Sequence, residues 1–249
     1  MSQRVLVFDS GVGGLSVWDE IRLRCPQLAA TYLMDNARFP YGELDEQSLI
    51  DGACALILAE VERCQPRAVV IACNTASTLI LPLLRARLSL PIIGVVPAIK
   101  PAALLTPGGR IGLLATPGTI KRAYTQDLIS QFAAHCEVLR LGSSRLVALA
   151  EEKLAGLPVD VAEVAVVLNG WQQEPPDVVV LGCTHYPLIR PLWQAALPGV
   201  QLLQVEPAVA AQAARRAGSK GRFSMPGSLA QAAGRRGLTC VNAAFTREG

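Results

Sequence analysis

Eight short apolar runs, bounded mostly by Gly, Pro or Asp, recur along the chain: "RVLVFDSG", "TYLMDN", "AVVIACN", "PIIGVV", "RIGLLAT", "VLRLG", "VVVLGC" and "VQLLQV". Between them lie longer stretches with helical spacing, at 47–64, 78–88, 124–136 and 143–156. Strands that alternate with helices form βα units, and these predict a mainly parallel sheet covered on both faces. Ligands of such sheets gather beyond the carboxyl ends of the strands. Chemistry is therefore expected at the last residues of the apolar runs.

The pattern also repeats. "RVLVFDSGVGG" starts at residue 4 and "RIGLLATPGTI" at residue 110. "AVVIACNTAS" (68–77) and "VVVLGCTHYP" (178–187) stand at nearly the same offset, each a β-branched run that breaks at a small residue and a cysteine. Two related α/β lobes are predicted, the first from 1–96 plus 206–249 and the second from 97–205. The Pro-rich passage "LPIIGVVPAIKPA" (90–102) carries the first crossing between them, and the return falls near 203–207.

With 249 residues, 51% of them hydrophobic and only 5% aromatic, the chain can bury a substantial core built from aliphatic side chains. The net charge of +3 is uneven, being −3 over 1–210 and +6 over 211–249. No nucleic-acid motif or aromatic interleaving accompanies the basic tail, so it reads as a solvated face and no nucleic-acid partner is expected. Seven cysteines without a C-x-x-C pair, and a strand-like run directly after "MSQ", point to reduced thiols in the cytoplasm. No apolar run reaches the ~18 residues of a membrane span. Only His135 and His185 are present, which excludes the usual zinc spacings.

The first loop, "FDSGVGGLSV", resembles a phosphate cradle, and Asp35 falls where a ribose-binding acid would stand. Ser16, however, occupies the third glycine position of the dinucleotide fingerprint. No cofactor is expected. Asp9 and Ser10 at the strand end either cap the following helix or hold a ligand. Cys73 and Cys183 each close a predicted strand that leads into a helix, where backbone N–H groups favour a thiolate. Asn74 and Thr75 follow the first thiol, and Thr184 and His185 the second. Cys25, Cys54, Cys64, Cys136 and Cys240 read as small core residues. His135, in a helical segment, reads as structural, and Glu151 and Glu152 as a solvated helix face. "NARFPYGELDEQSL" (36–49) reads as a polar turn before a helix.

Six segments together resemble the glutamate racemases of the aspartate/glutamate racemase family. These are "VFDSGVGGLSV", "DNARFPYGE", "VVIACNTAS", "PIIGVVPAIKPA", "GLLATPGTIKRAYT" and "VVVLGCTHYPL", in order over roughly residues 4–200. The resemblance implies two pseudo-symmetric α/β lobes with the active site in the cleft between them. It further implies cofactor-independent interconversion of L- and D-glutamate, with Cys73 and Cys183 as the two acid/base residues. Asp9, Ser10, Tyr41, Gly42, Asn74, Thr75, Thr184 and His185 match substrate-contacting positions. Asp9 would partner Cys73 and His185 would partner Cys183, with Glu151 near the second thiol and Glu152 on the surface.

The implied role is supply of D-glutamate for peptidoglycan, with glutamate as the small-molecule partner and a homodimer left open. An aspartate racemase, a related two-cysteine isomerase and a catalytically impaired binding homologue are the alternatives. The match fades after about residue 203. Some family members carry an N-terminal extension forming part of an activator site for a cell-wall precursor; the few residues before the first strand here lead to no such regulation being expected.

Overall fold

The structure is a computed structural model that describes residues 4–217 and the backbone of 238–242. The chain divides into two compact units, Met1–Val95 with Glu206–Gly249, and Val96–Val205.

In the first unit, strands alternate with helices as β1 (Arg4–Asp9), α1 (Leu15–Arg24), β2 (Ala29–Met34), α2 (Glu46–Cys64), β3 (Ala68–Ile71), α3 (Asn74–Arg87) and β4 (Ile92–Gly94). The second unit contains α4 (Ile99–Leu105), β5 (Arg110–Ala115), α5 (Pro117–Lys121), α6 (Ala123–Phe132), β6 (Glu137–Gly142), α7 (Arg145–Leu154), α8 (Val161–Val167), α9 (Asn169–Gln173), β7 (Val178–Gly182), α10 (Arg190–Ala196) and β8 (Gln201–Leu203). The chain then returns to the first unit with α11 (Glu206–Arg216) and β9 (Leu238–Asn242). All eight apolar runs form strands.

The two sheets share one plan. The first runs β4-β3-β1-β2-β9 and the second β8-β7-β5-β6, with every pair parallel. The 4-3-1-2 order of the first unit is thus repeated as 8-7-5-6 in the second, which accounts for the internal similarity of the sequence. β9 adds an edge strand beyond β2 for which the second sheet has no counterpart among the described residues.

β1, β3 and β7 are buried nearly throughout because helices cover both sheet faces, and their Val, Leu, Ile and Phe side chains form the cores. Each such side chain contributes about 1.5–3 kcal/mol on burial. In the first unit, α11 closes the core by turning Val209, Ala210, Ala213 and Ala214 inward against α1, whose buried residues are Val17, Trp18 and Ile21. Its basic residues Arg215 and Arg216 lie in the last turn, where they complement the helix dipole. Most of the basic tail, and the side chain of Cys240, lie outside the described residues.

Two boundaries differ from expectation. α3 starts at Asn74 rather than near residue 78, because Cys73 serves as its N-cap and draws Asn74 and Thr75 into the first turn. α6 ends at Phe132, so His135 sits in an exposed turn rather than in a helix. No helix among the described residues is long and apolar enough to cross a membrane.

Candidate active site

The ladder of the first sheet continues beyond its strands and gathers three chain segments. Ala72 donates its N–H to Phe8 O at 2.7 Å, and Asp35 donates to Asp9 O at 3.0 Å. Asp9, Asp35 and Cys73 are thereby brought to the carboxyl ends of adjacent strands. Gly14 allows this approach, because a Cβ there would fall 2.8 Å from both Ala72 Cβ and Asp9 Oδ2. Of the two sequence readings of Asp9 and Ser10, the structure bears on the first: neither side chain caps α1. Gly14, without a side-chain bond, is the N-cap of α1. Asp9 Oδ1 instead accepts from Gly11 N at 3.2 Å and from Ser10 Oγ at 3.3 Å.

Ser10 Oγ also lies 3.8 Å from Cys73 Sγ, while Ala76 donates its N–H to the same sulfur at 3.4 Å. The first thiol is thus buried at the start of a 14-residue helix, with a hydroxyl that links it to a fully buried carboxylate. A sulfur so placed is stabilised as the anion by the amide and by the helix end. Asn74 is only 2% exposed. Neither its Oδ1 nor its Nδ2 finds a hydrogen-bond partner among the described residues. An amide buried in that condition costs about 1–3 kcal/mol unless something else satisfies it, and its paired donor and acceptor suit an amino acid's ammonium and carboxylate groups.

The segment 36–49 is more than a polar turn. It contains a 3-10 turn, Asn36–Arg38, followed by Tyr41, which is buried. Tyr41 donates its hydroxyl to Asp35 Oδ2 at 2.5 Å, and Arg38 Nη1 donates to the same oxygen at 2.7 Å. Burial first, then the hydrogen bond and charge of Asp35, push the Tyr41 phenol far above its ordinary value. Tyr41 therefore keeps its proton. Gly42 follows directly and is buried too. Asp35, which resembled a ribose-binding acid in sequence, is occupied with Tyr41 and Arg38. Its β-strand-end position was the available signal for a site role; the two donors come from a loop that only folding brings back to it.

The second unit repeats the placement with other chemistry. Cys183 follows β7 directly and is buried, with Thr184 and His185 beside it. His185 Nδ1 lies 3.9 Å from Cys183 Sγ, and His185 Nε2 lies 2.7 Å from Glu151 Oε1. His185 is 2% exposed, whereas the Glu151 side chain is 30% exposed. One expectation fails here. Cys183 leads into a turn and a 3-10 segment, Tyr186–Ile189, before α10 begins at Arg190, so it is no α-helix cap. Pro187 is the reason, since it lacks the N–H that a regular helix start would use and restricts the residue before it.

Tyr186 anchors this turn. Its hydroxyl donates to Ser143 O at 2.7 Å, and the Trp193 indole donates to Tyr186 O at 2.7 Å. The first bond ties the turn carrying His185 to the N-terminal side of α7, the helix that carries Glu151, and the second ties it to α10. The sequence reading did not single out Tyr186 or Ser143, because nothing local marks a contact spanning 43 residues. Glu152, the neighbour of Glu151, pairs instead with Arg145, which also bonds Glu163 at 2.6 Å. Among the described residues, no cluster of three His, Cys, Asp or Glu side chains has the disposition of a metal site.

Each unit therefore offers a buried thiol at the carboxyl end of a parallel strand, with its own polar partner. The chain matches the Asp/Glu/Hydantoin racemase family over residues 16–214. It is 58% identical over 211 residues to a glutamate racemase of Shewanella sp. (strain MR-7), covering 84% of this chain and 78% of that protein. It is 55% identical over 213 residues to a glutamate racemase of Shewanella loihica, covering 85% and 80%. Among solved structures, Escherichia coli glutamate racemase in complex with L-glutamate and the activator UDP-MurNAc-Ala superposes with a TM-score of 0.85 at 44% identity, over 96% of this chain and 89% of that one. An aspartate racemase homologue from Pyrococcus horikoshii superposes at 0.54 with 18% identity, covering 87% of this chain and 99% of that one, which shows a shared fold alone. Identity over most of both chains, together with the two cysteine-bearing strand ends, leads to one conclusion: the chain belongs to the glutamate racemases of the Asp/Glu racemase family.

Proposed function

We propose that this protein is a cytoplasmic enzyme that interconverts L- and D-glutamate by two-base proton transfer and supplies D-glutamate for peptidoglycan synthesis. The observation that carries the proposal is the pair of buried thiols with different partners, Cys73 with Ser10 and Asp9, and Cys183 with His185 and Glu151. Racemisation takes the Cα hydrogen from one face and returns a proton to the other. Two bases do this without crossing the substrate plane: one cysteine starts as thiolate, the other as thiol, and the states exchange at each turnover.

The Cα hydrogen is weakly acidic, so the carbanionic transition state needs donors already oriented around the substrate carboxylate. Asn74 has its amide buried and unsatisfied by the described residues, and with Thr75, Thr184 and the backbone around Tyr41–Gly42 it supplies candidates. Asp9 acts on Cys73 through the Ser10 hydroxyl in this reading, and Glu151 orients the His185 ring. No step calls for a cofactor.

Incubation of the reduced protein with L-glutamate in D2O, following optical rotation and α-deuterium together, tests the proposal. Loss of rotation with deuterium entering Cα is the expected result. A folded, reduced sample that exchanges nothing rejects the enzyme reading, and turnover of aspartate in place of glutamate rejects the substrate.

A further inference from the structure

Asp35 Oδ2 receives two donors, and the second, Arg38, has no direct part in the chemistry proposed above. Its guanidinium lies against α2 at Gly52. A Cβ at residue 52 would stand 2.6 Å from both Cζ and Nε of Arg38, closer than such atoms approach. Gly52 is buried in the interior of a 19-residue helix and is followed by Ala53, where alanine would ordinarily be the better helix former. Here the missing methyl leaves room for Arg38.

We infer that Gly52 and Arg38 form a positioning relay, in which the bare backbone of α2 seats the Arg38 guanidinium on Asp35 and Asp35 in turn fixes Tyr41. The inference rests on the reading that Tyr41 and Gly42 contact the substrate.

Asp35 is fully buried while the Arg38 side chain is 28% exposed, so Arg38 brings a charge in from the solvent side to balance a carboxylate that water does not reach. Removing one partner of a buried pair leaves the other uncompensated. Asp35 Oδ1 finds no partner among the described residues, so the carboxylate depends on the two donors at Oδ2. With Arg38 displaced, the carboxylate shifts and the short bond to Tyr41 loses its fixed acceptor. The segment Phe39–Gly42 then no longer presents its backbone to the substrate in one geometry. Because the Tyr41 hydroxyl is already committed to Asp35, the segment's position is what the relay controls.

A role confined to folding would move stability and activity together, and the relay predicts that they separate. Gly52→Ala gains helix propensity and shifts only the flexible end of Arg38, a gain that offsets part of the lost pairing with Asp35, so its melting temperature falls by no more than a few degrees. Its KM for L-glutamate rises about tenfold, the factor carried by ~1.4 kcal/mol, with kcat within roughly twofold of the wild type. Arg38→Met shows the same KM, Arg38→Lys recovers part of the loss, and Gly52→Ala combined with Arg38→Met is no worse than Arg38→Met alone.

Hydrogen exchange across residues 39–43 supplies a readout independent of turnover. It accelerates in Gly52→Ala and Arg38→Met and stays near wild type in Arg38→Lys. A wild-type protein inactive on glutamate, with this exchange pattern intact, rejects the substrate reading and supports the relay. Wild-type KM and wild-type exchange in Gly52→Ala overturn the relay. If Arg38→Met does not fold, Gly52→Ala against Arg38→Lys decides the question by the same two measurements.

Discussion

Cys73 and Cys183 sit at equivalent strand ends yet answer to different neighbours. A hydroxyl leading to a buried carboxylate stands beside the first, and an imidazole held by a partly exposed glutamate stands beside the second. Cys73→Ala and Cys183→Ala should each abolish racemisation while the far-ultraviolet circular dichroism remains that of the wild type; wild-type turnover in either variant contradicts the two-base proposal. Glu151→Gln should preserve a hydrogen bond to His185 Nε2 and remove its charge, lowering kcat by about tenfold or more, as loss of assistance to an acid/base group does. An unchanged kcat would place Glu151 outside the mechanism. At this scale most candidate residues were legible, because strand-end position and residue type are properties of short segments. The link from Asp9 to the thiol through Ser10, and the occupation of Asp35 by Arg38 and Tyr41, were not. They depend on rotamers and on loop return, which local sequence leaves open.

Elements are where local chemistry and tertiary context part company. The start of α3 is fixed by Cys73 acting as a cap, and the break after Cys183 by Pro187, so similar segments yield an α-helix in one unit and a 3-10 turn in the other. α2 has an ordinary cap: Asp45 Oδ1 accepts from Ser48 N at 2.9 Å. The hydrogen bonds from Ser48, through its side chain first and then its backbone, hold the Asp45 carboxyl below its usual 3.8. A depressed folded value means the contribution is fully present above pH 3.8 and is lost as pH falls through the folded value. Asp45→Asn should keep the cap and flatten that acid limb, so melting temperatures of wild type and variant measured through the acid range should converge at its low end. Parallel curves would show that the Asp45 charge contributes nothing. β9 escaped the sequence reading, because five residues outside any βα alternation carry too little periodicity to mark a strand.

For the whole molecule, the repeated strand order shows how one structural plan places a thiol twice, and β9 and α11 show where the halves differ. The first unit is discontinuous in sequence and is completed only when the chain returns at Glu206. Truncation after Val205 removes the inward residues of α11 and the edge strand beside β2. The amides of β1, β2 and β3 should then lose hydrogen-exchange protection, while those of β5 and β7 retain it. Equal protection in truncated and full-length protein would show that α11 and β9 do not hold the first sheet together.

By itself the sequence determined the alternation of strands and helices, the parallel class of the sheets, the duplicated plan and the strand-end thiols. All of these follow from hydrophobic period and residue type within a dozen positions. Tertiary structure alone decided which donors reach Asp35, that Ser10 stands between Asp9 and Cys73, that Arg38 lies against residue 52, and how a late strand completes the first sheet. Those depend on side chains far apart in the chain being packed to within hydrogen-bond distance, and that proximity is set by the fold as a whole.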